Sequence, residues 1–123
     1  MQDYLRTDKL EQTIQFYGHN AGALAQAAQH HLSKPGKRTR SKLLFAATPN
    51  PTYSEALVHA AAAVELIHEA SIVHDDIQDQ TGRRRGVPTV WREFGADAAL
   101  LLGDHLVAAA FRAVAEAPEL GLA

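Results

Sequence analysis

An aspartate-rich run is the part of this sequence best suited to chemistry. Asp75, Asp76 and Asp79 lie within five residues of a stretch that otherwise favours a helix. On a helix of about 3.6 residues per turn, Asp75 and Asp79 fall on one side, and Asp76 lies beside them. Glu65 and His68 share that side in earlier turns. The carboxylates repel one another and crowd the helix end where the macrodipole disfavours anions. A bound divalent cation would remove both conflicts, and oxygen donors in a chain without cysteine favour Mg²⁺, or alternatively Mn²⁺, over zinc.

The alternative interpretation of this run is a solvated acidic helix end. For an isolated Asp-Asp-x-x-Asp pattern, that interpretation would be preferred. Here Ile72, Val73 and Ile77 flank the aspartates, and such apolar neighbours indicate a largely buried helix. The sequence therefore favours a metal site.

Two clusters hold eight of the 12 basic residues, and they bracket the aspartates along the chain. The cluster Lys34–Lys42 contains Pro35-Gly36 and then the start of a short helix, whose backbone N–H groups would add to an anion site. The cluster Arg83–Arg85 follows the aspartates at loop distance, and arginine suits bidentate contacts with phosphate. Each cluster alone could be a solvated basic loop. Beside a cation site, they predict that the protein holds a metal-bound phosphate or diphosphate.

Composition limits the remaining function classes. The chain has 123 residues, which is one domain at most, and its formal net charge of -2 argues against bulk binding of nucleic acid. The absence of cysteine excludes disulfides, zinc–thiolate sites and a thiol nucleophile. The longest apolar runs are short for a membrane span, and the N-terminus has no signal-peptide core. We expect a cytoplasmic protein with no nucleic-acid partner and no membrane span.

The pattern of apolar residues predicts an all-α chain. Apolar positions at spacings of three and four, punctuated by proline and glycine, predict five helices, and no stretch has the alternation of a strand. Ser54 is expected to cap the long helix that carries the aspartates, and a loop is expected at Gly86–Val90. The predicted helices are Thr7–Leu32, Thr39–Ala47, Glu55–Asp79, a short amphipathic helix with Val90, Trp91 and Phe94, and Ala96–Ala117.

The order of the motifs along the chain resembles that of the trans-isoprenyl diphosphate synthases, or polyprenyl synthetases. The shared motifs are Gly36-Lys37-Arg38-Thr39-Arg40, Leu66-Ile67-His68, His74-Asp75-Asp76-Ile77-Gln78-Asp79, Arg84-Arg85-Gly86, Pro88-Thr89-Val90-Trp91 and Gly103-Asp104. Together they cover about residues 8–116, and several spaced motifs are far more specific than the aspartate run alone. The resemblance implies an antiparallel helix bundle of the isoprenoid synthase type around a deep cavity, usually as a homodimer. Here it would be truncated to its N-terminal helices, as one incomplete domain over residues 1–123.

The resemblance also implies a reaction and a set of site residues. In this family Mg²⁺ bridges the aspartates and the diphosphate of an allylic substrate, and loss of that diphosphate leaves an allylic cation that isopentenyl diphosphate attacks. The implied catalytic residues are Asp75, Asp76 and Asp79, of which Asp75 and Asp79 are the metal ligands. Arg84 would contact the allylic diphosphate. The residues implied for isopentenyl diphosphate are Lys37, Arg40, His68 and Arg85.

The resemblance further implies that Ala70 and Ser71, just before the first aspartate, help set the cavity floor. Both are small, so we expect a product of C20 or longer. The family also has a second aspartate-rich motif and a lysine-bearing segment, which have no counterpart in this sequence. We therefore expect a fragment or truncated form of a synthase, or a homo-oligomer or partner chain that supplies the rest, and poor catalysis by an isolated monomer.

Two alternatives remain open at this point. The first is a non-catalytic regulatory subunit of a prenyl synthase, against which the intact aspartates and arginines argue. The second is a terpene synthase, which shares the aspartate motif. Since such an enzyme needs no isopentenyl-diphosphate site, Lys37, Arg40 and Arg85 argue against it.

Overall fold

The computed structural model describes residues 2–48 and 54–117, with side chains from residue 6 onward. The described part of the chain is built almost entirely from helices, so the all-α fold class predicted from the sequence is confirmed. Its elements in chain order are α1 (Gln2–His19), a 3₁₀ turn (Gly22–Leu24), α2 (Ala25–Leu32), α3 (Thr39–Ala47), α4 (Glu55–Gln78), β1 (Arg83–Arg84), β2 (Val87–Pro88), α5 (Val90–Phe94) and α6 (Ala96–Ala115).

Helix α4 is central and follows its prediction closely. The Ser54 hydroxyl accepts a 3.2 Å hydrogen bond from the backbone N–H of Leu57, which satisfies one of the free donors at the helix start. The helix ends one residue before the predicted position, and α6 ends two residues early. Helix α4 packs against α1, α3, α5 and α6. This central position allows one helix to present side chains to almost every other element.

The prediction of one continuous helix over Thr7–Leu32 is wrong. The apolar spacing continues without a break through Tyr17, Leu24 and Ala28, and this pattern hid the interruption. In the structure α1 ends at His19, and Gly22 adopts a left-handed backbone conformation with φ of 54° before the chain resumes as α2. A left-handed residue cannot continue a right-handed helix, so α2 leaves in a new direction.

The absence of strands was also predicted wrongly, at the segment that carries the arginines. Arg83–Arg84 pairs antiparallel with Val87–Pro88, in the register Arg83↔Pro88 and Arg84↔Val87. The two-residue turn between them is Arg85-Gly86, and both residues have positive φ, of 54° and 83°. Positive φ at both central positions matches the right-handed twist of a tight hairpin. Strands of two residues are too short to display alternation, which explains why the sequence did not reveal them.

Two helices, α4 and α6, are long and apolar enough to cross a membrane by length and composition alone. The core helices of helical bundles have the same properties. In α4, three carboxylates point into the protein and are ion-paired there, namely those of Glu65, Glu69 and Asp76. These pairs account for α4 as a central packing helix.

Candidate active site

Asp75 and Asp79 lie on the exposed side of the C-terminal end of α4. In the described ranges, neither carboxylate has an ion-pair partner. Asp76 differs, because its side chain turns inward and the residue is only 3% exposed. The face predicted from the helical wheel does not extend back to Glu65, which is fully buried. The aspartate run therefore divides into two outward carboxylates and one inward carboxylate.

The outward pair supplies the type of donor that Mg²⁺ prefers. Mg²⁺ usually keeps several waters and binds through one or two carboxylates together with substrate phosphates. Among residues 2–48 and 54–117, no group of three His, Asp or Glu side chains converges as a metal cage. The donor set thus fits a hydrated cation shared between Asp75, Asp79 and a phosphate ligand better than a closed site made of protein alone.

Asp76 holds Arg84 in place. The Arg84 Nε donates to both oxygens of Asp76 at 3.1 and 3.0 Å, and Nη2 donates to Oδ1 at 2.5 Å. This bidentate hydrogen bond raises the pKa of Arg84 further above its ordinary value. The Arg84 side chain remains about a third exposed, at 37%. The inward aspartate therefore fixes an arginine at the edge of the outward pair.

Glu69, which lies two turns before Asp76 on α4, holds a second arginine, Arg85. Its carboxylate is 1% exposed and accepts hydrogen bonds from His31 Nε2 at 2.7 Å and Arg38 Nη1 at 2.9 Å. Arg85 donates to the same carboxylate through Nη1 at 3.3 Å and Nη2 at 3.4 Å. Arg85 also donates to the backbone carbonyl of Lys34 at 3.0 Å. One buried carboxylate thus joins α2, the segment before α3 and the hairpin.

The first basic cluster divides in the same way into inward and outward cations. Arg38 is 6% exposed and pairs with both Glu11 and Glu69, whereas Lys37 on its N-terminal side is exposed. Arg40 Nε donates to Glu65 at 3.2 Å, and its side chain is 41% exposed. Arg38 anchors the turn, so that Lys37 and Arg40 stand at the surface.

His68 lies within the electrostatic reach of both basic clusters. Burial lowers the pKa of His68, and the positive charges of Arg40 and Arg85 lower it further. A neutral imidazole donates one N–H and carries no positive charge that these arginines would repel. The structure therefore brings His68, Arg40 and Arg85 into one neighbourhood. A Cβ added to Gly36 would lie 2.9 Å from Arg85 Nη2, so this glycine gives the guanidinium its space.

The two residues predicted to set product length face different directions. Ser71 is exposed, on the same side of α4 as Asp75, and its hydroxyl donates to the carbonyl of His68 at 2.7 Å. Ala70 is only 2% exposed and packs in the core.

Sequence reasoning missed the buried partners of the arginines. Glu69 and Asp76 are seven residues apart, which places them two turns apart on one side of α4. An acidic residue repeated at that interval inside an alanine-rich, apolar helix was a usable signal, because a buried carboxylate requires a cation. His31 and Arg38, which pair with Glu69, were not recognised as structural residues from the sequence.

Comparison with known proteins relates this geometry to one family. Residues 21–122 match the polyprenyl synthetase family. Similar curated proteins include the geranylgeranyl pyrophosphate synthase of Geoglobus acetivorans, which is 47% identical over 90 residues, and the geranylgeranyl diphosphate synthase of Saccharolobus solfataricus, 42% identical over 103. Component 2 of the heptaprenyl diphosphate synthase of Geobacillus stearothermophilus is 38% identical over 110 residues. The alignments cover 72%, 83% and 89% of this chain but 28%, 31% and 33% of those proteins, so the chain spans about a third of their length.

Solved structures give the same result. The geranylgeranyl pyrophosphate synthetase of Pyrococcus horikoshii superposes with a TM-score of 0.81 at 37% identity, covering 90% of this chain and 35% of that chain. An isoprenoid synthase family member from Thermotoga neapolitana superposes with a TM-score of 0.81 at 35% identity, covering 94% of this chain and 47% of that chain.

Proposed function

We propose that this chain, which belongs to the polyprenyl synthetase family, forms the substrate-binding helices of a trans-prenyltransferase in isoprenoid biosynthesis. The observation that carries the proposal is the arrangement at the end of α4. Two outward carboxylates, Asp75 and Asp79, lie at the end of the helix whose buried carboxylates Asp76 and Glu69 hold Arg84 and Arg85 in place. The names of the similar geranylgeranyl diphosphate synthases support an allylic diphosphate and isopentenyl diphosphate as the substrates.

In this proposal Asp75 and Asp79 would hold Mg²⁺, with Mn²⁺ as the alternative, where the allylic diphosphate binds. When bound, the metal supplies Lewis-acid stabilisation of the diphosphate as it leaves. Arg84 presents the remaining donors of its guanidinium to the same diphosphate, since Asp76 occupies only Nε and Nη2 in the described part of the chain. Asp76 therefore acts by orienting Arg84.

The second diphosphate binds to the outward cations of the two basic clusters. Lys37, Arg40 and Arg85 supply positive charge, and neutral His68 donates one hydrogen bond. The allylic carbon–oxygen bond breaks, and the electron pair leaves with the diphosphate. The double bond of isopentenyl diphosphate then forms the new carbon–carbon bond, and loss of a proton restores a double bond. No protein nucleophile is needed, in agreement with a chain that has no cysteine.

Product length, assembly and location follow from the same proposal. Neither Ala70, which packs in the core, nor the exposed Ser71 adds bulk just before the aspartates, which supports a product of C20 or longer. The relatives are about three times as long as this chain, so a complete site takes further polypeptide, as the rest of a longer synthase, in a homo-oligomer or from a partner chain. The name of the Geobacillus relative, a component of a synthase, supports a partner chain. We place the protein in the cytoplasm.

The proposal is tested by the binding of inorganic diphosphate to the purified chain, measured by isothermal titration calorimetry with and without Mg²⁺. We expect a Mg²⁺-dependent binding event in the wild type that is lost in Asp75→Asn and Asp79→Asn. Asp97→Asn is the matched control, because Asp97 is an exposed aspartate in the first turn of α6 and has no role in the proposed site.

Turnover is tested by incubating the chain with Mg²⁺, isopentenyl diphosphate and farnesyl diphosphate, and by identifying the products by mass. Formation of longer prenyl diphosphates would support catalysis by this chain. Binding without turnover would favour the alternative of a non-catalytic subunit of a prenyl synthase. The absence of both binding and turnover would contradict the proposed function.

A further inference from the structure

We propose that Glu69 is a positioning residue that fixes Arg85 and the turn before α3 so that the second diphosphate can bind. This inference rests on the proposed function, in which Arg85 contacts isopentenyl diphosphate. Glu69 itself is 1% exposed and touches no substrate. It would act entirely through the side chains that it holds, which are His31, Arg38 and Arg85.

The backbone at both arginines gives the first argument. Arg38 has a φ of 58° and Arg85 a φ of 54°, and both therefore lie in the left-handed region that side chains disfavour. The guanidinium groups of these two residues meet on the same carboxylate. Disfavoured conformations persist only where the surroundings hold them. Without the charge of Glu69, Arg38 and Arg85 would each lose the carboxylate that their guanidinium groups share.

A count of hydrogen-bond donors gives the second argument. Arg38 uses Nε and Nη2 on Glu11 and Nη1 on Glu69, so it is committed to the fold. Arg85 has five N–H donors and uses three, two on Glu69 and one on Lys34. Two donors of Arg85 are thus uncommitted among the described residues. The Arg85 side chain is 22% exposed, which suits a residue that is held from behind and presented to a ligand.

Simple electrostatics and positioning predict opposite results when Glu69 loses its charge. If Glu69 only reduced the positive potential of the site, its neutralisation would strengthen the binding of an anion. If Glu69 positions Arg85, the same change would weaken binding, because the guanidinium would no longer be held in its place. The sign of the change therefore decides between the two roles.

The experiment compares Glu69→Gln and Glu69→Asp with the wild type in titrations with inorganic diphosphate in the absence of Mg²⁺. We expect at least roughly tenfold weaker binding in Glu69→Gln, the equivalent of one charge-assisted hydrogen bond. Glu69→Asp keeps the charge but shortens the side chain, and binding should again be weaker than in the wild type. Circular dichroism establishes that each variant is folded, and Glu69→Asp replaces Glu69→Gln if the latter does not fold.

Glu55→Gln is the matched control. It removes the same charge from an exposed glutamate at the other end of α4, about 21 Å away along the helix. We expect unchanged binding in this variant. The Mg²⁺-dependent event that tests Asp75 and Asp79 should also persist in Glu69→Gln, so a purely structural collapse would be recognised by its loss.

Three results would overturn the inference. They are tighter or unchanged binding in both Glu69 variants, an equal loss in Glu55→Gln, and no metal-free diphosphate binding by the wild type. Failure of the proposed function would be recognised differently, by the absence of Mg²⁺-dependent diphosphate binding in the wild type itself.

Discussion

The fold should become less stable at acid pH through one buried carboxyl group, that of Glu69. Burial alone would raise the pKa of Glu69, but the hydrogen bond and charge of His31, together with those of Arg85, outweigh burial and lower the pKa from 4.5 to about 2. Since the folded-state pKa lies below the unfolded value, the ionised carboxylate stabilises the fold fully above pH 4.5. This stability is lost as the pH falls from there through about 2.

The size of the effect follows from the difference between these two pKa values. At about 1.4 kcal/mol for each pH unit, the change from 4.5 to about 2 corresponds to about 3 kcal/mol of unfolding free energy. Glu69 is only 1% exposed, so solvent screens this interaction little. Glu69→Gln keeps the shape of the side chain and removes the charge. The wild type should therefore be the more stable protein by about 3 kcal/mol near neutral pH, and the two should converge near pH 2.

Urea unfolding followed by far-ultraviolet circular dichroism, repeated across this pH range, measures the difference directly. The wild type and Glu69→Gln share all other carboxyl groups, so their contributions cancel in the comparison. Glu55→Gln, an exposed change on the same helix, should run nearly parallel to the wild type. If the curves of wild type and Glu69→Gln were parallel as well, the carboxylate would not be held by His31 and Arg85 as described.

Three further expectations concern packing, titration and product length. Gly103→Ala should destabilise the chain by about 1 kcal/mol and at most about 2, because overpacking costs about 1–3 kcal/mol and alanine regains about 1 kcal/mol in helix propensity. The added Cβ would lie 2.0 Å from Nε2 of His74. The double variant with His74→Ala should therefore recover stability in urea unfolding. A Gly103→Ala variant more stable than the wild type would contradict this close approach. The phenol of Tyr17 should titrate with a pKa of about 12, raised first by burial and then by its hydrogen bond to Glu116, so stability should fall as the pH rises from 10 towards 12. Spectrophotometric titration of Tyr17→Phe should lack the tyrosine that titrates with a pKa of about 12, and an unaltered curve would refute the assignment. Ser71→Phe should shorten the prenyl product identified by mass, with Ser71→Ala as the control; the same product range in both would refute the role of this position in the cavity floor.

The helices of this fold could be predicted where the sequence carries local signals. Ser54 as a cap and an uninterrupted apolar pattern defined α4 to within one residue at its end. The same reliance on pattern failed at the first helix, because Gly22 interrupts the backbone without interrupting the apolar spacing. Periodicity reports which residues face the core. It does not report where the chain changes direction between two helices that share a core.

The division of the charged residues could not be predicted, for a different reason. The sequence identified the aspartates and both basic clusters, but it did not separate inward from outward charges. The partners of Glu69 lie 38, 31 and 16 residues away, in three different elements. Such pairs depend on how the elements pack. Local spacing therefore located the charged residues of the candidate site, and tertiary contacts decided which of these charges face outward.

The consecutive arginines of the hairpin reach two different carboxylates of α4. Arg84 pairs with Asp76 and Arg85 with Glu69, and these carboxylates are seven residues apart on α4, or about 10 Å along its axis. Arg84 lies in a strand of the hairpin, whereas Arg85 lies in its turn with a left-handed backbone conformation, so the two adjacent residues differ in backbone geometry. Under the proposed function, the spacing of Asp76 and Glu69 on α4 therefore sets the separation of the two arginines that contact the substrates.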